Sequence, residues 1–207
     1  MSFTRSDAKA GVSRSEQRWR LTTYYTAVES FHHDAPVQVK GHPGMRGGPK
    51  RQVLGSFPRS FVQAVKDEGT GRITSGGNAG KYLNWSFNTG FWLDTAPRDS
   101  YGGVLVPYQS CASGDQGSAQ GLERGARLTI FFCGRDTDSG DAPDPGACKR
   151  MMSAKWVVRD QFTPGLGGEN HIDLYIGEED CPNFENVSPR YVDLSGAQVK
   201  QTRQGAA

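Results

Sequence analysis

Several stretches of this chain alternate apolar and polar residues with the two-residue period of a β-strand. Order is expected to begin at Trp19, and Arg20 to Val28, dense in β-branched and aromatic side chains, predicts a strand. Lys81-Tyr82-Leu83-Asn84-Trp85-Ser86-Phe87 alternates after a hairpin turn marked by Gly76-Gly77 and Gly80. Arg127 to Phe132 predicts another strand, and Val37 to Lys40 a short one. Trp156-Val157-Val158 predicts a strand ending at Asp160. After a loop containing Pro164, Gly165, Gly167 and Gly168, the run from His171 to Ile176 alternates again. It places Ile172, Leu174 and Ile176 on a core face and His171, Asp173 and Tyr175 on the other. Only Phe57 to Lys66 carries helical spacing, through Phe61, Val62 and Val65. Pro58 suits its first turn, and Gly69 lies beyond its end.

Many short strands, one helix and long irregular connections predict a mainly β fold, a small closed barrel with loop insertions. Residues 1–18 are polar and read as a disordered or loosely docked segment, 19–195 as a single barrel domain, and 196–207 as a frayed tail. The 27 Gly and 11 Pro fit turns better than long helices. With 24 Lys and Arg against 22 Asp and Glu, the net charge of +2 argues against a dedicated nucleic-acid binder. No apolar run is long enough for a membrane span, and the polar N-terminus shows no signal-peptide core. Cys111, Cys133, Cys148 and Cys181 lack zinc-site spacing. Two disulfides of an oxidising compartment are expected, and of the three pairings the one bracketing a single loop joins Cys133 to Cys148. The acidic turn Asp136 to Asp141 lacks the terminal Glu of a calcium loop and reads as solvated. His32, His33, His42 and His171 are scattered and predict no metal site.

The segment VVRDQFTPGLGGENHIDLYIG resembles the signature of the three-aspartate (3D) domain, shared by membrane-bound lytic transglycosylase A and related peptidoglycan-remodelling proteins. Its parts are a strand ending in Asp160, a Gly-rich turn, and a strand bearing Asp173 before Leu174-Tyr175-Ile176-Gly177. Other pieces follow in the expected order. Thr22 to Thr26 with Glu29 resembles the opening Tyr-containing strand, Glu68-Gly69-Thr70-Gly71-Arg72 an "EGTGR" turn, Gly103 to Ala112 the stretch before a middle aspartate, and Gly125 to Ile130 a "G-T-x-L-x-I" strand. There are two departures. Asp160 and Asp173 stand 13 residues apart, a longer spacing than usual, and Asp115 is only a stand-in for the middle aspartate.

The resemblance implies a double-psi β-barrel that cleaves the MurNAc-GlcNAc β-1,4 bond of peptidoglycan with formation of 1,6-anhydro-MurNAc. It makes Asp173 the acid that protonates the bridging oxygen and then the base for the muramic C6 hydroxyl, so its pKa must sit near working pH. Asp160, as a second carboxylate, and an apolar wall of Tyr175 and Phe162 would raise it. His171 is a same-face neighbour able to hydrogen-bond Asp173. Glu68, His171, Tyr175, Tyr24 and Glu29 are the candidate substrate-binding residues. One or two of Tyr82, Trp85, Phe91, Trp92 and Tyr101 are expected to stack on sugar rings. No cofactor is implied. Peptidoglycan glycan strands are the expected partner, the protein acting as a monomer in the bacterial cell wall, periplasm or extracellular space. A non-catalytic carbohydrate-binding or expansin-like barrel, or an inverting endoglucanase, are the alternatives on a similar barrel.

Overall fold

The computed structural model describes residues 18–45 and 51–202. In chain order its elements are strand β1 (Arg18–Val28), β2 (Pro36–Gly41), β3 (Gln52–Pro58), helix α1 (Arg59–Glu68), β4 (Thr70–Arg72), β5 (Tyr82–Ser86), β6 (Gly90–Asp94), β7 (Ser110–Asp115), β8 (Arg127–Phe132), β9 (Arg135–Asp136), α2 (Pro145–Ser153), β10 (Trp156–Phe162), β11 (His171–Glu178), α3 (Phe184–Val187) and β12 (Asp193–Thr202).

Six strands close on themselves. β1 pairs with β11, then β7, β10, β8 and β12 follow, and β12 returns to β1. The β1–β11 and β7–β10 pairs are parallel, and the rest of the ring is antiparallel. This is the mainly β, double-psi type of barrel expected. Alternation supplies its interior. Leu21, Ile172 and Leu174, Cys111, Trp156 and Val158, Leu128 and Ile130, and Leu194 with Val199 come one set from each strand and form one buried cluster.

A wing grows from the far end of β1, where Ala27 and Val28 pair with Gly71 and Arg72 of β4, and β5 and β6 continue the sheet. Beneath α1 and the β2–β3 hairpin lies a second core of Phe61, Val65, Tyr25, Ala27, Leu54, Leu83 and Ile176. β1 and β11 thus run through both cores. α1 stops where expected: Gly69 adopts φ 87°, open to glycine at little cost, and its N–H returns to the Val65 carbonyl at 2.9 Å. Strand β4 needs a glycine for room, because a Cβ on Gly71 would meet Val65 Cγ2 at 2.4 Å.

Four expectations change. Residues 196–202 are not a frayed tail but the body of β12, which bridges β8 and β1 and buries Ala197 and Val199. The expected single helix is joined by α2 and the one-turn α3. Asp144 caps α2 by accepting from the Ala147 N–H at 2.7 Å, with Pro145 in the first turn. Phe57 and Pro58, expected within the helix, instead end strand β3, which pairs with β2, and α1 begins at Arg59. Of the two disulfides expected, Cys133–Cys148 is present, whereas Cys111 is a buried thiol inside the barrel and Cys181 a second free thiol on the chain after β11. The reading of residues 1–18 as loosely docked falls, but for Arg18, outside the described residues.

Candidate active site

A cleft of about 490 Å³ opens between the barrel and the wing. That volume lies within the usual size of small-ligand sites. Its floor is built by register. Thr22 of β1 is the cross-strand partner of Asp173 on β11, Asp173 of Ala112 on β7, and Ala112 of Asp160 on β10. Side chains in one such row project from the same face, and all four line the cleft. Ala112 leaves open space between the two carboxylates. Their backbones are two strands apart, about 10 Å. The β10 ladder slips on both sides of Asp160, the kind of irregularity that re-aims a side chain beside a functional site.

Each carboxyl faces the cleft on one side and protein on the others. Burial pushes Asp173 up to about 7; the Thr22 hydroxyl, 2.7 Å from Oδ1, opposes the rise when its proton is turned to the carboxylate, and the Asp160 charge adds to it. Among the described residues no guanidinium is bonded to it: Arg20, whose charge it feels, forks onto Asp193 through Nε at 2.9 Å and Nη2 at 2.5 Å. Burial also pushes Asp160 up to about 6, against three donors to its Oδ1, namely Ser100 N at 2.9 Å, Ser100 Oγ at 2.6 Å and Gln161 N at 2.8 Å. A carboxyl near 7 is half protonated at neutral pH and suits an acid that later acts as a base.

Glu68, at the end of α1, lines the wing side. It accepts from the Tyr25 N–H at 3.1 Å, and burial, then the Asp173 charge, push it well above the carboxylate range. Tyr24 and Phe162 supply apolar wall, and half-buried Trp85 also lines the cleft. Trp92, by contrast, is fully buried in the wing. Tyr101 is 49% exposed beside the cleft and hydrogen-bonds Gln161, which lines it.

Two candidate residues lie elsewhere. Tyr175 is 1% exposed, beneath Tyr24 at a ring separation of 5.2 Å, with its hydroxyl 2.6 Å from Thr26 Oγ1. It supports the wall from behind and does not reach the cleft. Glu29 is buried at the end of β1, where its carboxylate accepts from Thr74 N at 2.7 Å, Ser75 N at 2.9 Å and Ser75 Oγ at 2.7 Å. It satisfies a turn that would otherwise leave donors unpaired. Asp115, the stand-in for a middle aspartate, is likewise absent from the cleft. It accepts from Gly165 N at 2.8 Å and Gly167 N at 2.6 Å and so pins the long Gly-rich loop that the wider aspartate spacing creates. Asp115→Ala is expected to cost about 1–2 kcal/mol in urea denaturation and to speed amide exchange in residues 163–168.

Sequence reasoning passed over three side chains that complete the site. Thr22 bonds Asp173. Ser100 bonds Asp160. Asp99, 1% exposed, shapes the turn that presents Ser100 by accepting from Tyr101 N and Gly103 N at 2.9 and 2.8 Å. Thr22 had a signal, an even-numbered polar position between Leu21 and Thr23 in the first strand, but its partner lies 151 residues away. Among the described residues no three His, Cys, Asp or Glu side chains gather to hold a metal. His32 instead bridges Ser60 and Glu179, each at 3.0 Å.

No protein-family model matches this chain, and no curated protein does. Solved structures do. Escherichia coli MltA with bound chitohexaose superposes with a TM-score of 0.51 at 12% identity, over 90% of this chain and 72% of that one. The membrane-bound lytic murein transglycosylase of Agrobacterium tumefaciens gives 0.50 at 11% identity, over 92% and 74%. The barrel with its wing is therefore the fold of the MltA lytic transglycosylases.

Proposed function

We propose that this protein is a peptidoglycan lytic transglycosylase of the three-aspartate type, cleaving the MurNAc-GlcNAc β-1,4 bond. The observation that carries the reading is Asp173, a carboxyl held near 7 on the floor of a sugar-sized cleft with no cation among the described residues bonded to it. Asp173 donates its proton to the bridging oxygen as the C1–O bond breaks, and the sugar passes through an oxocarbenium-like state. The resulting carboxylate takes the proton of the muramic C6 hydroxyl as O6 bonds to C1. The proton balance closes without water. Asp160, fixed by Ser100, disfavours a second negative charge and so keeps Asp173 protonated. Glu68 and Trp85 line the path of the glycan. Chitohexaose bound to the E. coli neighbour is a β-1,4 glycan of the same kind. The disulfide suits an oxidising place of action such as the cell wall or periplasm, with the chain acting as a monomer. Among the described residues no helix is long and apolar enough to cross a membrane.

The two-strand separation of the aspartates favours one other reading, hydrolysis with inversion, which places a water between carboxyls roughly 6.5–9.5 Å apart. Three donors hold Oδ1 of Asp160, so in that reading Oδ2 would take the proton of the water. Digestion of purified peptidoglycan followed by mass spectrometry tests both. Anhydro-muropeptides are the expected product. Ends heavier by one water indicate hydrolysis, and binding without any product indicates a carbohydrate-binding barrel.

A further inference from the structure

Thr22 joins Asp173 to a second titratable group. Its Oγ1 lies 2.7 Å from Asp173 Oδ1 and 2.9 Å from His171 Nε2, and the other ring nitrogen, Nδ1, lies 3.2 Å from the Leu166 carbonyl oxygen. His171 is 7% exposed, and the Phe162 ring covers it at 4.5 Å between centroids. The arrangement follows from register, since Thr22 pairs with Asp173 while His171 and Asp173 are two apart on the same face of β11.

Hydrogen-bond accounting then fixes the protons. A carbonyl oxygen only accepts, so Nδ1 carries the proton of the neutral ring, and Nε2 presents a lone pair to Thr22. The threonine hydroxyl has one proton and gives it to Nε2. Its oxygen is left as an acceptor, and the partner among the described residues that can donate to it is a protonated Oδ1 of Asp173. If Asp173 ionises, Thr22 must turn its proton to the carboxylate. Nε2 then faces an oxygen lone pair at 2.9 Å unless the ring gains a proton.

We propose that His171, acting through the Thr22 hydroxyl, is a positioning residue that holds the catalytic proton on Oδ1 of Asp173. The role rests on the transglycosylase reading, because it gives Asp173 the acid form that reading needs. His171 itself touches no glycan in this role. Burial and the Arg20 charge keep its imidazole below its ordinary value, which preserves the neutral ring the arrangement requires. The other titratable groups around the pair are Arg20 and Tyr24 on β1, Glu68 on α1, Cys111 on β7, Asp160 on β10, Tyr191 just before β12 and Asp193 on β12. None of them is hydrogen-bonded to the Thr22 hydroxyl.

Nitrogen-15 NMR of the histidine rings and carbon-13 titration of the aspartate carboxyls test this without substrate. In the wild type at pH 7, His171 is expected as the neutral Nδ1–H tautomer. In His171→Ala the Thr22 hydroxyl is free to donate to the carboxylate, and the Asp173 midpoint is expected to fall by about one unit, which lowers the protonated fraction at pH 7 about fivefold. His171→Gln, whose amide can accept from Thr22 and donate to Leu166, is expected to restore the midpoint. In a Thr22→Val background His171→Ala is expected to leave the midpoint where it stands. On peptidoglycan, His171→Ala lowers kcat about fivefold at pH 7 with KM unchanged, and the loss disappears at pH 5. An Nε2–H tautomer in the wild type, which needs no variant to fold, overturns the proposal. So does a midpoint unmoved by His171→Ala, or one moved equally with and without the Thr22 hydroxyl. An inactive wild type with the expected tautomer and midpoints would instead overturn the transglycosylase reading alone.

Discussion

Asp173→Asn is expected to lower peptidoglycan cleavage by about 10³–10⁴-fold with little change in glycan binding. In the proposed reaction one side chain makes both proton transfers, so an amide, which neither donates an acidic proton nor accepts one back, removes both at once. Asn keeps the shape of Asp and can still bond Thr22. The cleft and its wall of Tyr24 and Phe162 should therefore survive, and turnover, not KM, carries the loss. The same substitution is expected to stabilise the protein above neutral pH. The folded carboxyl sits near 7, above the value of about 4 for an unfolded aspartate. The native state thus holds this proton more tightly than the unfolded chain does. The resulting stability is fully present below about pH 4 and is lost as pH rises through about 7. Asn has no proton to lose. Because Asp173 opens on the cleft and is partly screened by solvent, the gain over wild type at pH 8 is about 1–2 kcal/mol. Urea midpoints of the two proteins at pH 5 and pH 8 measure it. Equal pH dependence in both would show that burial does not hold the proton.

Removing the Cys133–Cys148 bridge is expected to cost about 3 kcal/mol, the loop-closure value for a cross-link over roughly 15 residues. The bridge ties the end of β8 to α2 across the acidic turn. Cys133 belongs to the barrel core, while α2 packs through Met151 and, at its end, receives the Trp156 indole N–H on the Met151 carbonyl. Without the bridge the turn and α2 gain freedom in the unfolded chain, and a small β barrel has little to spare. Neither cysteine lines the cleft, so a Cys133→Ala, Cys148→Ala protein should keep near-wild-type turnover at low temperature while its denaturation midpoint falls. Alkylation of the unreduced, denatured wild type should label two thiols, Cys111 and Cys181. Identical midpoints with and without reductant would contradict this account.

The strands that carry Asp160 and Asp173 were legible because their apolar pattern is strong. His171 to Ile176 separates a polar from an apolar face, and the observed burial follows that separation for Ile172, Leu174 and Ile176. The same rule misplaced Tyr175. Position along a strand gives the face but not what covers it, and Tyr24 lies over this residue. Asp160 and Asp173 stood out through the motif around them. Thr22 did not, because its role comes from a parallel pairing between the first strand and one some 150 residues later, a register that no local pattern encodes. β12 was hidden for another reason. Leu194, Ala197 and Val199 alternate weakly around Gly196, and polar residues fill the rest, so the strand owes its existence to two neighbours that sequence cannot see. α2 was missed although Asp144 followed by Pro145 is a helix-start signal; the acidic, Gly-containing loop before it masked the cue.

The central claim is that a single carboxyl at position 173 keeps its proton up to neutral pH while open to a glycan. A carbon-13 titration of the wild-type protein, with Asp173→Asn to assign the signal, tests it most directly. The midpoint is predicted near 7; a midpoint near 4, that of an ordinary exposed aspartate, would contradict the account.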